Sequence, residues 1–239
     1  MRKYKQYAEK EREEERRPAM EERLEIEYGQ SDLMEYQRQI LETGYTGLFL
    51  PVSFLSVMEQ DGSMRLSGMF QTEGYVSLRD FHARDVCEAL DVVLSLLEKM
   101  VRAEDVFLFI GDYLIHPDLV FVKRPKQGGE LEAALAWTGT DREHASYICT
   151  MNQFHDGICS VIDVLEENLQ GDGAGYLRHA WNISAGEGLH AGALRRRIYR
   201  VRSEAFDCGY SRGDDRMERT RKFYRDPLDV AEETAEYAK

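Results

Sequence analysis

The chain has no apolar run approaching the roughly 20 residues that a bilayer-crossing helix needs. Its N-terminus, Met1 to Arg17, alternates acids with bases and lacks the apolar centre of a secretory leader. Both absences point to a soluble, cytoplasmic protein. Cysteine is scarce: 239 residues hold four, Cys87, Cys149, Cys159 and Cys208, and no two stand at Cys-x-x-Cys spacing. That excludes a disulfide framework and leaves reduced thiols as the expectation. Positive charge is in deficit as well. With 31 Lys and Arg against 44 Asp and Glu, the formal net charge is −13. This disfavours sequence-independent binding to nucleic acid, which is driven by cationic side chains displacing phosphate counterions. No internal repeat is visible.

What is present suffices for one substantial core, since 43% of positions are hydrophobic. Three regions are expected. Residues 1–30 form a charged arm, helical or disordered. Opposite charges at Lys10/Glu14, Glu13/Arg17 and Arg23/Glu27 are spaced for helix pairing, but Pro18 interrupts it and apolar anchors are few. Residues 31–206 form the folded domain, and residues 207–239 a polar, partly basic tail.

Within the domain, a helix over Asp32–Leu41 meets a turn at Gly44 and Gly47. Strands over Leu48–Met58 and Met64–Phe70 flank Asp61-Gly62, a dipeptide suited to a tight hairpin. Ser77 and Asp80 are spaced like a capping box ahead of a long helix whose stripe runs Val86, Leu90, Val93, Leu97 and Met100. Short strands are expected over Val106–Ile110, Leu119–Val122 and Leu131–Trp137, with turns at His116-Pro117-Asp118 and Lys126–Gly129. A second core helix starts near Asn152 and ends before Gly171. A third runs from Gly192 to Phe206 with Leu194, Ile198, Val201 and Ala205 on one face. The composition is that of an α+β fold.

Candidate chemistry is thin. His144, Cys149, His155 and Cys159 bring together zinc-binding residue types, but their spacing fits no zinc module, and Cys159 beside Ile158 and Ile162 reads better as a small core residue. There is no Gly-x-Ser-x-Gly nucleophile elbow. The loop Gly171-Asp172-Gly173-Ala174-Gly175 follows a helix rather than a strand and lacks the Lys-Ser/Thr ending of a phosphate cradle, so it reads as a capping linker. No catalytic, metal or cofactor residue is assigned. The exception to the acidic composition is Arg195, Arg196, Arg197, Arg200 and Arg202, followed by Arg212, Arg216, Arg219, Arg221, Lys222 and Arg225. These five helical arginines are the expected partner-binding residues, although the same charges also suit the chain's own acidic surface.

The order of motifs adds a resemblance. A Gly44-x-x-Gly47-Leu48 turn precedes the Asp61-Gly62 hairpin, the pair Ser77-Leu78, a long helix and then Tyr113-Leu-Ile-His-Pro117-Asp-Leu-Val-Phe-Val122. Over roughly Tyr36 to Phe206 this resembles a bacterial domain family of unknown function, common in clostridia and bacilli, that often precedes a forkhead-associated domain. No forkhead-associated domain is visible here. That family is similar in turn to the kinase-like soluble domain of the membrane-bound pseudokinase of type VII secretion. The resemblance therefore implies a degenerate protein-kinase fold, with a small β-rich N-terminal lobe and a reduced helical C-terminal lobe.

A kinase catalytic loop reads His-Arg-Asp-Leu-Lys-Pro-x-Asn, its Asp taking the substrate proton and its Asn holding Mg²⁺. Placing Pro117 on that proline puts Leu114 at the Asp and Leu119 at the Asn. The Asp-Phe-Gly position falls at Trp137-Thr138-Gly139, without its Asp, and neither a glycine-rich loop nor a phosphate-binding Lys motif precedes the hairpin. The expectation is a non-catalytic scaffold in bacterial signalling or secretion that binds a protein partner, acidic if the arginines select it. Two alternatives stand beside it. One is an atypical nucleotide-binding phosphotransferase, which requires Asp112, Asp118 and Asp141 to converge on a metal. The other is a membrane-peripheral adaptor whose arginine-rich helix makes weak contact with anionic lipid.

Overall fold

A computed structural model describes residues 23–28, 33–58, 64–125, 130–139, 147–186 and 188–210. The Asp61-Gly62 turn, the Lys126–Gly129 loop, Asp141, His144, the Cys149 side chain and the basic residues from Arg212 to Arg225 lie outside them. Strand β1 (Arg23–Tyr28) leads to helix α1 (Glu35–Thr43) and then to the antiparallel pair β2 (Val52–Met58) and β3 (Met64–Gln71). These strands form a sheet in the order β1-β3-β2. The expected helical pairing of Arg23 with Glu27 gives way to a strand. Leu24, Ile26 and Tyr28 alternate toward the core, while Glu27 pairs across the sheet with Arg65 at 2.6 Å. Gly68 makes room in β3: a Cβ there would lie 2.9 Å from the Tyr28 ring and 3.1 Å from that of Phe54.

A second small sheet follows, β4 (Val76–Ser77), β5 (Val120–Lys123) and β6 (Glu132–Leu135), antiparallel in that order. Between β4 and β5 runs α2 (Val86–Glu104), the axis of the core. Val86, Leu90, Val93, Leu97 and Met100 on it are all buried, as their period implied. The capping differs from expectation. Ser77 does accept from the Asp80 N–H, but this closes only the single 3-10 turn Leu78–Asp80, and Asp85 caps α2 by accepting from Glu88 N–H. Glu88, buried in the first turn of α2, gathers hydrogen bonds from Arg84 and from Arg124, just beyond β5. Desolvation pushes its carboxyl up, but those bonds outweigh it and hold the group below the usual carboxylate range.

Three helices complete the fold: α3 (Tyr147–Glu167), α4 (Ala174–Ser184) and α5 (Ala191–Asp207). Helix α3 starts five residues before the expected Asn152. Helix α4 begins inside the expected linker Gly171–Gly175 and continues through residues for which no element was expected, with Gly173, at φ 107°, at its N-cap. Helix α5 packs along α2 through Leu194, Ile198, Val201 and Ala205. Among the described residues the chain is α+β, and no helix is long and apolar enough to cross a membrane.

Candidate functional site

Of the residues that the kinase resemblance singles out, Asp112, Leu114, Asp118 and Leu119 lie on one irregular segment that leaves α2 and reaches β5. A strand was expected over Val106–Ile110, but the segment begins with a helix-ending turn instead. The Ala103 carbonyl accepts from Leu108 N–H at 3.0 Å and the Glu104 carbonyl from Phe107 N–H at 3.1 Å, with Phe107 in the left-handed region at φ 62°. Glycine is the usual residue there, because a side chain meets the neighbouring carbonyl. Leu108 turns into the core, leaving the Phe107 ring 69% exposed beside exposed Phe109, their centroids 6.5 Å apart.

Beyond Phe109 the chain is tied down turn by turn. Asp112 accepts from Phe109 N–H at 2.9 Å, closing the 3-10 turn Ile110–Asp112. His116 accepts from Asp118 N–H at 3.3 Å, and Asp118 pairs with Arg79, which holds that carboxyl below its ordinary range. Both aspartates therefore have local tasks and sit on separate turns. Helix α3 supports the segment from beneath. A Cβ on Gly157 would stand 2.6 Å from the Ile115 carbonyl oxygen, and one on Gly111 would meet Thr150 at 2.9 Å.

The segment runs beside residues 137–139. Tyr113 bridges Gly139, and Leu114 N–H donates to the Thr138 carbonyl at 3.1 Å. Phe49, Tyr113 and Trp137 form a buried aromatic triad with centroids 4.9 to 5.7 Å apart. The Tyr28 hydroxyl donates to the Trp137 carbonyl at 2.5 Å. Leu50 N–H and Leu135 N–H donate to the carbonyls of Leu135 and Leu48. The junction between the first sheet and the second is thus packed with buried aromatic rings. Tyr113 OH, Trp137 Nε1 and Thr138 Oγ1 are buried there without a partner among the described residues. Burial, with Glu104 and Asp112 adding to it, drives the Tyr113 hydroxyl far above its usual pKa, so it stays neutral. Leu114 instead points outward and is exposed.

The other sequence candidates separate. His155, one turn before Cys159 on α3, bonds through Nε2 to the Leu189 carbonyl at 2.8 Å, and the Cys159 thiol faces the Trp181 carbonyl at 3.8 Å. Burial pushes Cys159 up to about 11 and Cys87 up to about 12, so both are held as thiols rather than nucleophilic thiolates. Among the described residues no three His, Cys, Asp or Glu side chains converge as a metal site.

On α5 the five arginines divide. Arg202 faces inward, 8% exposed, and makes a two-pronged contact with Asp91 of α2: Nε to Oδ1 at 2.8 Å and Nη2 to Oδ2 at 3.0 Å. Its assignment as a partner-binding residue is corrected, because its charge is consumed within the fold. Arg195 and Arg196 are half-buried, and Arg195 has a contact inside the chain; Arg197 and Arg200 are exposed. Among the described residues Arg196, Arg197 and Arg200 have no carboxylate partner. Sequence reasoning missed Asp91, whose signal was an acid beside the apolar stripe of α2. No protein-family model matches this chain, and no curated protein matches it.

Proposed function

We propose that the chain is a non-catalytic interaction module of kinase-like descent, serving as a scaffold in bacterial signalling or secretion. The observation that carries this reading is the pairing of Tyr113 with Gly139 and of Leu114 N–H with the Thr138 carbonyl. A kinase brings its catalytic loop against its metal-binding segment, and here the corresponding residues run side by side with Leu114, Leu119 and Trp137 in place of the Asp, Asn and Asp. The strand and helix ahead of the hairpin support the same reading. Where a kinase carries a phosphate-binding Lys and its Glu partner, β1 offers Glu25 and Glu27 and no Lys, while the buried polar residue of α1 is Gln37. Among the described residues, aromatic rings rather than charged side chains pack where these segments meet.

A thermal-shift titration tests the non-catalytic part. Mg-ATP at a hundred times its dissociation constant adds about 2.7 kcal/mol to stability. The expected result is an unchanged melting temperature at millimolar Mg-ATP; a clear rise, absent with Mg²⁺ alone, overturns the reading.

The partner surface proposed is the outer face of α5, where Arg196, Arg197 and Arg200 stand on a helix anchored by its buried stripe. Unpaired cations on an acidic chain steer an acidic protein partner, and such binding weakens as salt shortens the screening length to below about 8 Å. Replacing the three with Ser is expected to leave the melting temperature within a degree or so of wild type and to abolish salt-sensitive capture of the acidic partner. Retained binding, or a large loss of stability, places the interaction surface elsewhere.

A further inference from the structure

We infer that β2 is a self-association edge, through which two copies of the chain join their first sheets into one continuous six-stranded sheet. In the order β1-β3-β2, β2 is hydrogen-bonded on one side only, and among the described residues nothing pairs with its outer side. About half of its backbone N–H and C=O groups therefore face outward as a template for another strand. Soluble proteins blunt such edges with charge, proline or a bulge. Here the sequence Val-Ser-Phe-Leu-Ser-Val-Met contains no charged residue and no proline, and its register with β3 runs through seven successive pairs without a bulge. The outer face of β2 is also apolar: Leu55 is 56% exposed and Val57 54% exposed.

The outward backbone requires the occupant to be an extended strand, and the side chains point to a second copy. In an antiparallel two-fold pairing that uses all seven residues, the axis passes at Leu55. Leu55 then meets its own copy, and each Val57 lies opposite Ser53 of the other strand. The exposed leucines and valines merge into one patch on the outer face, contacts of the kind that stabilise paired strands. Charge favours the same choice. Each chain carries a net charge of −13, so most surfaces of two copies repel, whereas the uncharged β2 meets its copy without juxtaposing like charges. A foreign strand would be selected by charges or pockets that β2 does not offer.

Sedimentation equilibrium of the full chain under reducing conditions, across the micromolar range, tests this. Wild type is expected to approach twice the monomer mass as concentration rises. Leu55→Lys and Val57→Lys, whose side chains already face solvent, are expected to remain monomeric with a melting temperature near wild type. A wild type that stays monomeric throughout, including one that pairs this edge only with another protein, overturns the inference; so do lysine variants that dimerise as wild type does. The register is read independently by cysteine crosslinking in a Cys149→Ser/Cys208→Ser background. Leu55→Cys is expected to form an interchain disulfide on mild oxidation and Val57→Cys, facing Ser53 of the other copy, to form far less. Equal crosslinking of the two overturns the Leu55-centred pairing.

Discussion

Arg202→Ala is expected to lower the unfolding free energy by about 3 kcal/mol, at the lower end of what breaking a buried ion pair costs. The Arg202 side chain is 10% exposed and the Asp91 side chain 35%. Water therefore reaches the carboxylate in part, and the loss falls short of that for a fully enclosed pair. The damage lies mainly in what remains. Asp91 would lose both charge-assisted hydrogen bonds while still desolvated against α5, with Asp85 and Glu88 adding repulsion from the same helix. Urea denaturation should show a lower midpoint at unchanged slope. The double variant Asp91→Leu/Arg202→Met, which removes both charges, should recover most of the loss. Arg197→Ala, on the opposite flank of the same helix, should change stability by less than about 0.5 kcal/mol. A loss below about 1 kcal/mol for Arg202→Ala would reduce the pair to an ordinary surface bridge.

The second large effect is expected at Gly157. Alanine is the better helix former by about 1 kcal/mol, and at an exposed site Gly→Ala stabilises. At Gly157 the added carbon would stand 2.6 Å from the Ile115 carbonyl oxygen and 2.8 Å from the Ile115 Cβ. Neither is the free end of a flexible side chain, so α3 and the segment above it must part. The expected net loss is about 2 kcal/mol, as for other overpacked sites, with faster amide exchange concentrated at Leu114 to His116. Gly175→Ala is the matched control: its added carbon meets nothing within 4 Å in the first turn of α4, and it should be neutral or stabilising. Equal behaviour of the two variants would show that contact between α3 and the segment does not set the Gly157 requirement.

Periodicity made much of this architecture legible. The stripes of α2 and α5 follow from side chains that must share one face, and β2 and β3 from strand formers on either side of Asp61-Gly62. Elements governed by contacts distant in sequence were not legible. Arg197 and Arg202 lie at about equal angles, near 70°, on either flank of the α5 stripe, so no pattern within the helix separates them. Asp91, 111 positions away, decides which one turns inward. Val106–Ile110 reads as a strand because strand formers fill it, but Leu108 has to close the end of α2, and Phe107 takes the left-handed conformation in consequence. Leu114, Leu119 and Trp137 were picked out in the sequence only through a resemblance. The aromatic junction was not legible, because Phe49, Tyr113 and Trp137 meet only once three distant segments have assembled.

That aromatic junction also bears on how the molecule comes apart. Two-lobed enzymes work by hinging, and regions joined by few buried contacts can open as separate units. Here the seam is crossed by the Tyr28 hydroxyl bonded to the Trp137 carbonyl and by the reciprocal backbone bonds of Leu48 and Leu50 with Leu135, around a dry aromatic centre. Parting the seam would break these bonds and wet the triad at once. The first sheet is accordingly expected to melt together with the second rather than to hinge against it, so that far-UV and near-UV circular dichroism report one coincident transition.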